Sequence, residues 1–448
     1  MGSDTAKPVK GAKGGRAVQR KDALVIGAAS VGTVFEWYDF YLYGSLATFI
    51  TQHFFSGVNE TTGYIFALLA FAAGFAVRPF GALVFGRLGD LWGRKNTFLV
   101  TMMLMGLSTF VVGLLPSYAA IGIAAPILLV TLRVAQGFSV GGEAACAMTF
   151  LAEHAPDGHR GRITSYAQIA SFVALLTGTL VAYAMSPWLS AAAIEGGGFG
   201  SFAWRIPFLV AIPMGVIGFY IRKHIADTPN FTRLKESGGL SHNPLREAFA
   251  TPEHRRAMLL ALFIPLMNGS GYYVLFSYMP TFLKSQQIGF DTGTALLVTA
   301  ASLVVISIAI PIMGKLSDRV GRKRVIAGAA IAMAIAGVPC YALIVTGNVA
   351  LAILGACLMA FIFAGHTAVI HILIVELFPT RVRYSAYGLG YNISSALFGG
   401  TAPLLMTLLI PQFGIYVPAW YAVITALGTL AAVSTVKDRA HLPLRDTL

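Results

Sequence analysis

Charged side chains are scarce in this chain of 448 residues, where Asp, Glu, Lys and Arg make up 11% of the sequence. Soluble domains average about 25%. So few charges exclude a water-facing surface for nucleic acid. A hydrophobic content of 56% excludes a disordered chain, because disordered chains lack apolar residues to bury. The composition therefore indicates an integral membrane protein that binds no nucleic acid.

Cysteine is also rare, with three residues that all lie in apolar runs. They provide neither a disulfide framework nor a paired-cysteine metal site, so we expect no metal. The phosphate-binding pattern G-x-x-x-x-G-K-[ST] and the zinc-binding pattern HExxH are missing as well. These absences argue against an ATP-driven pump and against an enzyme. A channel would need rings of like groups or filter loops, which the sequence does not suggest.

Long apolar runs fill most of the chain. A membrane-spanning helix needs about 20 apolar residues, and more where it is tilted. This window predicts spans at 23–51, 62–88, 97–116, 121–152, 162–189, 203–222, 257–284, 292–314, 325–346, 349–377, 384–410 and 416–436. The predicted fold is an all-α polytopic membrane protein with twelve transmembrane helices in two six-helix bundles. Its predicted parts are a basic tail, the first bundle, a connector, the second bundle and a second tail, at 1–22, 23–222, 223–256, 257–436 and 437–448.

Basic residues predict the orientation of these spans. The chain has 32 Lys and Arg against 19 Asp and Glu, a formal net charge of +13. With a cytoplasmic N-terminus, 28 of the 32 basic residues lie on the cytoplasmic side, all except Arg78, Arg133, Arg205 and Lys284. Cytoplasmic loops of membrane proteins carry this excess. We therefore expect both termini in the cytoplasm and the basic loops close to anionic membrane lipid.

Two motifs recur at matched positions in the two halves. Residues 86–95 and 314–323 share six of ten residues, and a Glu-x-x-Pro-x-x-x-Arg pattern begins at Glu153 and again at Glu376. Their offsets of 228 and 223 residues indicate a duplication, as in transporters built from parallel repeats. If the charged residues of these motifs pair on one face of the protein, they can act as a gate that favours one conformation over another. The alternative is that they are solvated loop charges that only set the membrane topology. The candidate gating residues are Asp90, Arg94, Lys95, Glu153, Arg160, Asp318, Arg322, Lys323, Glu376 and Arg383.

The duplicated loop resembles the major facilitator superfamily. Within that superfamily, several stretches of the chain resemble the metabolite:proton symporter family. They are FEWYDF at 35–40, RPFG at 78–81, RVAQG at 133–137, GGE at 141–143, ELFPT at 376–380 and RYSA at 383–386. The resemblance runs from about residue 23 to residue 438. It implies alternating-access transport of a small organic solute together with protons across the bacterial inner membrane. Protons would be the coupling ion, and no cofactor is expected.

Five charged residues lie deep inside the first, second and fourth predicted spans: Glu36, Asp39, Arg78, Arg133 and Glu143. A charge there costs about 2.5–3.5 kcal/mol on insertion scales, so it is rare unless functional. Three acids and two arginines leave one acid able to take a proton. The candidate proton-coupling residues are Glu36, Asp39, Arg133 and Glu143. We expect span one to face span four, with Arg133 near an acid of span one.

Arg78 is the candidate anchor for a substrate anion, because a guanidinium matches the geometry of a carboxylate. The alternative is a structural ion pair with Glu36 or Asp39. His366 is preferred over His371 as a cavity residue, because small neighbours leave room around it. The full set of candidate substrate-binding residues is Arg78, Arg133, Tyr166, Gln168, Asn268, Tyr272, Tyr273 and His366.

Two buried arginines and a histidine favour a carboxylate substrate, such as 2-oxoglutarate, citrate or shikimate. The proline/betaine branch of the resembled family usually has Trp and an acid where this chain has Tyr166 and Gln168, although Tyr272 and Tyr273 resemble that branch. A proline/betaine-type zwitterion symporter is therefore the first alternative, and an uncoupled facilitator or channel is the alternative of another class. One chain carries both halves, so we expect a functional monomer.

Overall fold

The computed structural model describes residues 46–92, 94–185, 204–223 and 244–444, together with 27, 33–34, 37–39, 42–43, 202 and 236. In these parts the regular structure is helical, and no strand occurs. Ten helical segments are long and apolar enough to cross a membrane. The first and sixth predicted spans are described only in part. These observations confirm an all-α polytopic fold, while the boundaries of the two bundles stay predictions.

The helices of the N-terminal half follow the predicted spans closely. Span two is continuous over 33 residues and span four over 31. In chain order the helices are α1 (Ala47–Phe54), α2 (Glu60–Trp92), α3 (Arg94–Leu114), α4 (Tyr118–Ile121), α5 (Ala124–His154), α6 (Arg160–Met185), α7 (Ile206–Leu209) and α8 (Ala211–Lys223).

In the N-terminal half, span six is divided into α7 and α8; in the C-terminal half, three spans are divided into segments, two of them with a π-helical part. Span seven comprises α10, α11, π1 and α12; span ten comprises α15 and α16; span eleven comprises α17, π2 and α18. The elements are α9 (Pro244–Ala248), α10 (Pro252–Phe263), α11 (Leu266–Asn268), π1 (Gly269–Tyr278), α12 (Met279–Leu283), α13 (Thr292–Val320), α14 (Arg322–Ile344), α15 (Val349–Thr367), α16 (Ile370–Leu377), α17 (Arg383–Ser394), π2 (Ser395–Gly400), α18 (Ala402–Phe413) and α19 (Val417–Ser434).

The two π-helical segments pack against each other. A Cβ added at Gly269 of π1 would lie 2.1 Å from the carbonyl oxygen of Phe398 in π2. Span ten is interrupted nearby, between Thr367 and Ile370. π-Helical turns are rare and concentrate at functional sites. The irregular parts of spans seven, ten and eleven therefore mark the region where a site is expected.

Glycines bring α2 and α5 into backbone contact. A Cβ at Gly137 would lie 1.8 Å from the carbonyl oxygen of Gly74, and one at Gly141 would lie 2.1 Å from that of Arg78. Small residues at helix interfaces in membranes allow this approach. The contact fixes two helices that carry buried arginines, Arg78 on α2 and Arg133 on α5.

Residues 137–141 also spell G-x-S-x-G, the pattern around some hydrolase nucleophiles. In those enzymes the serine lies on a strained turn from strand to helix. Here Ser139 is fully buried inside the continuous helix α5, and its hydroxyl donates to the carbonyl of Thr101. The pattern serves helix packing in this chain.

The end of the helices that carries the two repeated loops is called the basic face. Its position is fixed by contacts between distant segments: Gly86 adjoins Ser385, and Asp318 accepts hydrogen bonds from the start of α6. Gly321 of the second loop has a φ of +103°, a conformation that favours glycine. Glycine at this position therefore allows the tight turn between α13 and α14.

The glycine contact generates a stability prediction. Gly137→Ala should lower the free energy of unfolding by about 1–3 kcal/mol, because overpacking forces backbone shifts. Thermal unfolding of the purified protein in detergent measures the effect. Gly328→Ala is the control, since a Cβ there meets nothing within 4 Å. Equal unfolding temperatures for the two variants would contradict the packing argument.

Candidate functional site

Asp39 lies at the centre of a buried polar cluster. Its side chain is fully buried, and Arg133 Nη1 donates to Asp39 Oδ2 at 2.8 Å. Thr109 Oγ1 and Gln136 Nε2 both donate to Asp39 Oδ1 at 2.9 Å. The expectation that Arg133 lies near an acid of span one is confirmed, with Asp39 as that acid. Glu36, the other acid of this span, lies outside the described residues.

Aromatic rings surround both buried arginines. The guanidinium carbon of Arg133 lies 4.0 Å from the centroid of the Tyr43 ring. That of Arg78 lies 3.9 Å from the centroid of the Phe75 ring. Such contacts are worth about 2 kcal/mol or more when the cation is desolvated. They hold the planar guanidinium groups in place inside the helix bundle.

An aromatic cluster, defined as Trp37, Phe75, Phe172, Tyr272, Tyr273 and Phe363, joins the two halves of the chain. The Tyr272 ring stacks on Trp37 with centroids 4.2 Å apart and on Phe172 with centroids 4.8 Å apart. Phe363 meets the same ring edge-on at 5.6 Å. Trp37 and Phe172 belong to spans one and five, whereas Tyr272 and Phe363 belong to spans seven and ten. The rings therefore meet between the halves.

Phe75 connects this cluster to Arg78. The Phe75 ring is perpendicular to that of Tyr273, with centroids 5.1 Å apart, and it also carries the Arg78 guanidinium. The buried guanidinium group of Arg78 thus lies next to the aromatic cluster. Glu143, also buried, lies on α5 ten residues beyond Arg133.

The hydroxyl of Tyr272 forms polar contacts with both halves. It donates to Gln168 Oε1 of α6 at 2.8 Å and lies 3.1 Å from Thr367 Oγ1 of α15. The structure therefore brings two of the candidate substrate-binding residues, Gln168 and Tyr272, into direct contact. Thr367 ends α15, at the interruption of span ten.

The remaining candidates of the C-terminal half are Tyr273, which belongs to the cluster, together with Asn268 and His366. Tyr273 contacts the hydroxyl of Ser395 at 3.4 Å, and Asn268 Nδ2 donates to Tyr391 at 3.5 Å. The ring of His366 stacks on that of Phe363 with centroids 5.8 Å apart.

The two histidines of span ten have different surroundings. Both are buried, and neither ring nitrogen of His366 has a hydrogen-bond partner within the described part of the chain. His371 Nδ1 instead hydrogen-bonds the hydroxyl of Tyr387. Of the two, His366 is the histidine next to the aromatic cluster, because its ring stacks on that of Phe363.

Tyr166 is not brought to the cluster. It is half-buried, and its hydroxyl accepts a hydrogen bond from Arg162 Nε at 3.3 Å, near the start of α6. Tyr166 and Gln168 are two residues apart on one helix, so they point to nearly opposite sides. Of this predicted pair, only Gln168 contacts the cluster.

The Glu-x-x-Pro-x-x-x-Arg motifs pair across the halves. Arg383 Nη1 donates to Glu153 Oε1 at 2.9 Å, and both side chains are fully buried. In the reciprocal pair, Arg160 Nη1 lies 3.9 Å from Glu376 Oε1. Each acid therefore meets the arginine of the other copy, which the spacing alone did not specify.

Asp318 links the second repeated loop to the start of α6. Its two carboxylate oxygens accept hydrogen bonds from the backbone N–H groups of Gly161 and Arg162 at 2.9 and 2.8 Å. A carboxylate at a helix N-terminus satisfies free N–H groups and complements the helix dipole. Arg322 Nη1 contacts the same carboxylate at 2.7 Å, and its Nη2 lies 3.6 Å from Glu376.

Other gating candidates are distributed around this network. Lys323 Nζ donates to the carbonyl oxygens of Ser434 and Val436, at the C-terminal end of α19. Lys95 is half-buried at the start of α3. The side chains of Asp90 and Arg94 lie outside the described residues.

Two hydrogen bonds from α17 complete the contact between the halves. The hydroxyl of Tyr384 donates to the carbonyl of Gly142 at 2.6 Å, and Asn392 Nδ2 donates to that of Gly141 at 2.8 Å. The halves are therefore joined both at the basic face and deeper in the bundle, near the middle of α5. For the basic face to open, these bonds and the ion pairs between the halves would have to break. The gating role of these residues stays a prediction, and the structure names the contacts on which it depends.

Sequence reasoning missed several members of the site. Thr109 and Gln136 complete the Asp39 cluster, and Gln136 stands one helical turn after Arg133, a spacing that could have indicated it. Trp37 stands two residues before Asp39 within a quoted motif. Phe172 and Phe363 carried no signal, because single aromatic residues in apolar spans resemble packing residues.

Comparisons with known proteins show the family to which the chain belongs. The family model described as "Sugar (and other) transporter" matches residues 24–241 and 236–447. The ectoine/proline transporter ProP of Corynebacterium glutamicum is 36% identical over 423 residues, covering 92% of this chain and 84% of that protein. The glycine betaine/proline/ectoine/pipecolic acid transporter OusA of Dickeya dadantii is 36% identical, and the proline/betaine transporter of Escherichia coli K12 is 34% identical, each over 94% of this chain and 84% of its own length.

Solved structures show the same fold at low sequence identity. The proton:xylose symporter XylE bound to 6-bromo-6-deoxy-D-glucose superposes with a TM-score of 0.76 at 16% identity, covering 94% of this chain and 97% of that one. A partially occluded, inward-open XylE from E. coli superposes with a TM-score of 0.72 at 18% identity, covering 94% and 99%. These likenesses confirm the twelve-helix, two-bundle fold class.

The buried cross-half pair generates a prediction. Glu153→Gln should lower the free energy of unfolding by about 3–5 kcal/mol, because it removes the carboxylate that the buried Arg383 contacts. Glu247→Gln is the control, since Glu247 and Arg381 form a half-exposed pair 3.6 Å apart. An exposed pair contributes about 1 kcal/mol or less. Thermal unfolding in detergent compares the two variants, and similar losses would show that the Glu153–Arg383 pair does not hold the halves together.

Proposed function

Because the chain belongs to the "Sugar (and other) transporter" family of the major facilitator superfamily, we propose that it is a proton-coupled symporter of small zwitterionic amines of the proline and betaine type. The carboxylate substrate favoured by charge alone is not supported. The similar relatives are named for proline, betaine, ectoine and pipecolic acid. Each of these solutes carries a carboxylate together with a cationic nitrogen.

The observation that carries this proposal is the aromatic cluster between the halves. A substituted ammonium group binds to the faces of Trp, Tyr and Phe rings, and cages of such rings recognise quaternary nitrogens. Tyr272 lies stacked between Trp37 and Phe172, so in this closed arrangement the rings cover one another and would have to separate to receive the cationic nitrogen. Rings supplied by both halves also suit a site that opens alternately to the two sides of the membrane.

Arg78 is proposed to bind the carboxylate of the same solute. Its guanidinium lies against Phe75, which is itself a member of the cluster. One end of a zwitterion would then contact ring faces while the other contacts Arg78. Gln168, Asn268, Tyr272, Tyr273 and His366 are proposed as further hydrogen-bonding residues of this site.

Proton coupling is proposed to operate through Asp39 and Arg133. A proton on Asp39 would remove the charge that compensates Arg133 in a buried site, where an uncompensated cation is costly. Arg133 would then need a new partner, and its movement would act on α5. Glu36 and Glu143 are proposed as further members of this proton-linked set. Protons serve as the coupling ion.

The contacts on the basic face are proposed to form the gate that faces the cytoplasm. The excess of basic residues on this face supports its cytoplasmic orientation. Breaking the pairs of Glu153 with Arg383 and Glu376 with Arg160 would let the halves separate there. We place the protein in the bacterial inner membrane with both termini in the cytoplasm, working as a monomer.

A transport assay tests the substrate. Purified protein in proteoliposomes with an inward proton gradient should accumulate proline, glycine betaine or ectoine, and not 2-oxoglutarate, citrate or shikimate. Trp37→Leu should weaken betaine uptake by several-fold to about thirtyfold in apparent KM, the equivalent of about 1–2 kcal/mol of cation–π energy. Trp420→Leu, at a ring that is 56% exposed on the outside of the bundle, is the control. Accumulation of the carboxylates alone would overturn the zwitterion assignment.

A second assay tests proton coupling. Asp39→Asn should abolish accumulation driven by a proton gradient and retain exchange of labelled for unlabelled substrate, because exchange needs no net proton transfer. Glu60→Gln, a change at an exposed acid, should leave both activities intact. If Asp39→Asn still concentrates substrate, Asp39 does not carry the coupling. If the wild-type protein equilibrates substrate without concentrating it, the uncoupled facilitator is correct.

A further inference from the structure

A pocket lies on the basic face, away from the aromatic cluster. It has a volume of about 440 Å³ and opens between the start of α10 and the segment that follows α19. Ligand pockets in proteins have volumes of about 300–1,000 Å³. The basic residues that line it are Arg256, Lys437 and Arg439, and Glu253 is the one acid among its described lining residues.

The remaining lining is largely apolar. Ala257, Leu260, Leu377 and Val436 contribute to it. On the same helix α10, Leu259 is 57% exposed on the outside of the bundle. A pocket with three cations beside an apolar wall at the membrane boundary matches an amphiphilic anion better than a fully hydrated one.

We propose that this pocket binds the phosphate-bearing headgroup of an anionic membrane lipid. Basic pockets between transmembrane helices bind such headgroups. Guanidinium and ammonium groups donate to phosphate oxygens through charge-assisted hydrogen bonds. The apolar wall would contact the glycerol and the first methylene groups of the lipid.

The segment 435–444, called the strap, connects the pocket to the gate. Lys437 and Arg439 line the pocket, while Asp438 between them accepts a hydrogen bond from the backbone N–H of Lys323 at 3.0 Å. This alternation is that of an extended segment. Further along, the carbonyl oxygen of Leu442 accepts a hydrogen bond from Arg160 Nη1 at 2.9 Å. A headgroup held by Lys437 and Arg439 would therefore keep the strap on the closed basic face.

The start of the strap is also fixed to the pocket. Arg256 Nη2 donates to the carbonyl oxygen of Thr435 at 2.9 Å. One cation of the pocket thus belongs to α10 and two belong to the strap, so a single anion would bridge the two segments. This bridging depends on the observed contacts and not on which solute the protein transports.

Native mass spectrometry with titrated phosphatidylglycerol tests the site. The variant Lys437→Gln/Arg439→Gln should bind this lipid about 25-fold more weakly than the wild-type protein, because each charge near an anionic lipid contributes about fivefold. Arg255→Gln is the matched control: it removes one charge from an exposed residue of α10 that is not part of the pocket lining. Unchanged affinity of the double variant, or an equal loss per charge in the control, would overturn the proposal.

Hydrogen exchange of residues 435–444 provides a readout of the strap itself. In phosphatidylcholine nanodiscs, addition of phosphatidylglycerol should slow exchange of these amides in the wild-type protein and not in the double variant. Inorganic phosphate added to phosphatidylcholine nanodiscs should leave exchange unchanged. If phosphate alone slows exchange as much as the lipid does, the ligand is a soluble anion and the lipid assignment is wrong. Both measurements are independent of transport, so they remain decisive if the proposed substrate is incorrect.

Discussion

A charge buried in the interior of a membrane protein is stable only beside an opposite charge and hydrogen-bond partners, and this requirement determines how the two halves of the chain meet. Asp39 and Arg133 satisfy it within the N-terminal half. Glu153 and Arg383 satisfy it only when the halves touch, because each half contributes one partner. If the proposed gate opens by separation of the halves, the first pair can persist and the second cannot.

This difference separates the two tasks that alternating access requires. A pair within one half can respond to a proton without moving the halves, whereas a pair between halves reports their separation. The duplication explains the reciprocal arrangement on the basic face. The two copies of the motif face each other across the contact between the halves, so that each acid lies opposite the arginine of the other copy, as Glu376 and Arg160 also show. The carboxylate of Asp318, from the second repeated loop, lies at the N-terminus of α6.

The sequence was a good guide wherever the cost of burying charge or polar backbone decided the outcome. Hydropathy predicted span two at 62–88, and the helix is Glu60–Trp92. The partnership of Arg133 with an acid of span one followed from charge alone. The interruptions of spans seven, ten and eleven did not follow, because a π-helical segment depends on how neighbouring helices pack, and hydropathy does not contain this information.

The aromatic cluster was beyond sequence reasoning for a related reason. Trp37, Phe172 and Phe363 come from three different spans, and each is a common residue type in an apolar helix. Only their convergence around Tyr272 distinguishes them from packing residues. Exposure and spacing along one helix cannot predict such a meeting, since it depends on the docking of the two halves.

The proposed substrate differs from the carboxylate that charge favoured because the similar relatives are named for proline, betaine and ectoine, and the charge balance of the site is compatible with such a solute. Counting two arginines favoured a carboxylate, but the charge of Arg133 is compensated by Asp39, which also accepts bonds from Thr109 and Gln136. A di- or tricarboxylate would bring two or three negative charges to a site where the charge of Arg133 is already compensated by Asp39. A zwitterion brings its own cation, so it needs a single anion-binding group and ring faces for its nitrogen. In the proposed site, Arg78 beside Phe75 would bind the carboxylate, and the rings around Tyr272 would contact the nitrogen.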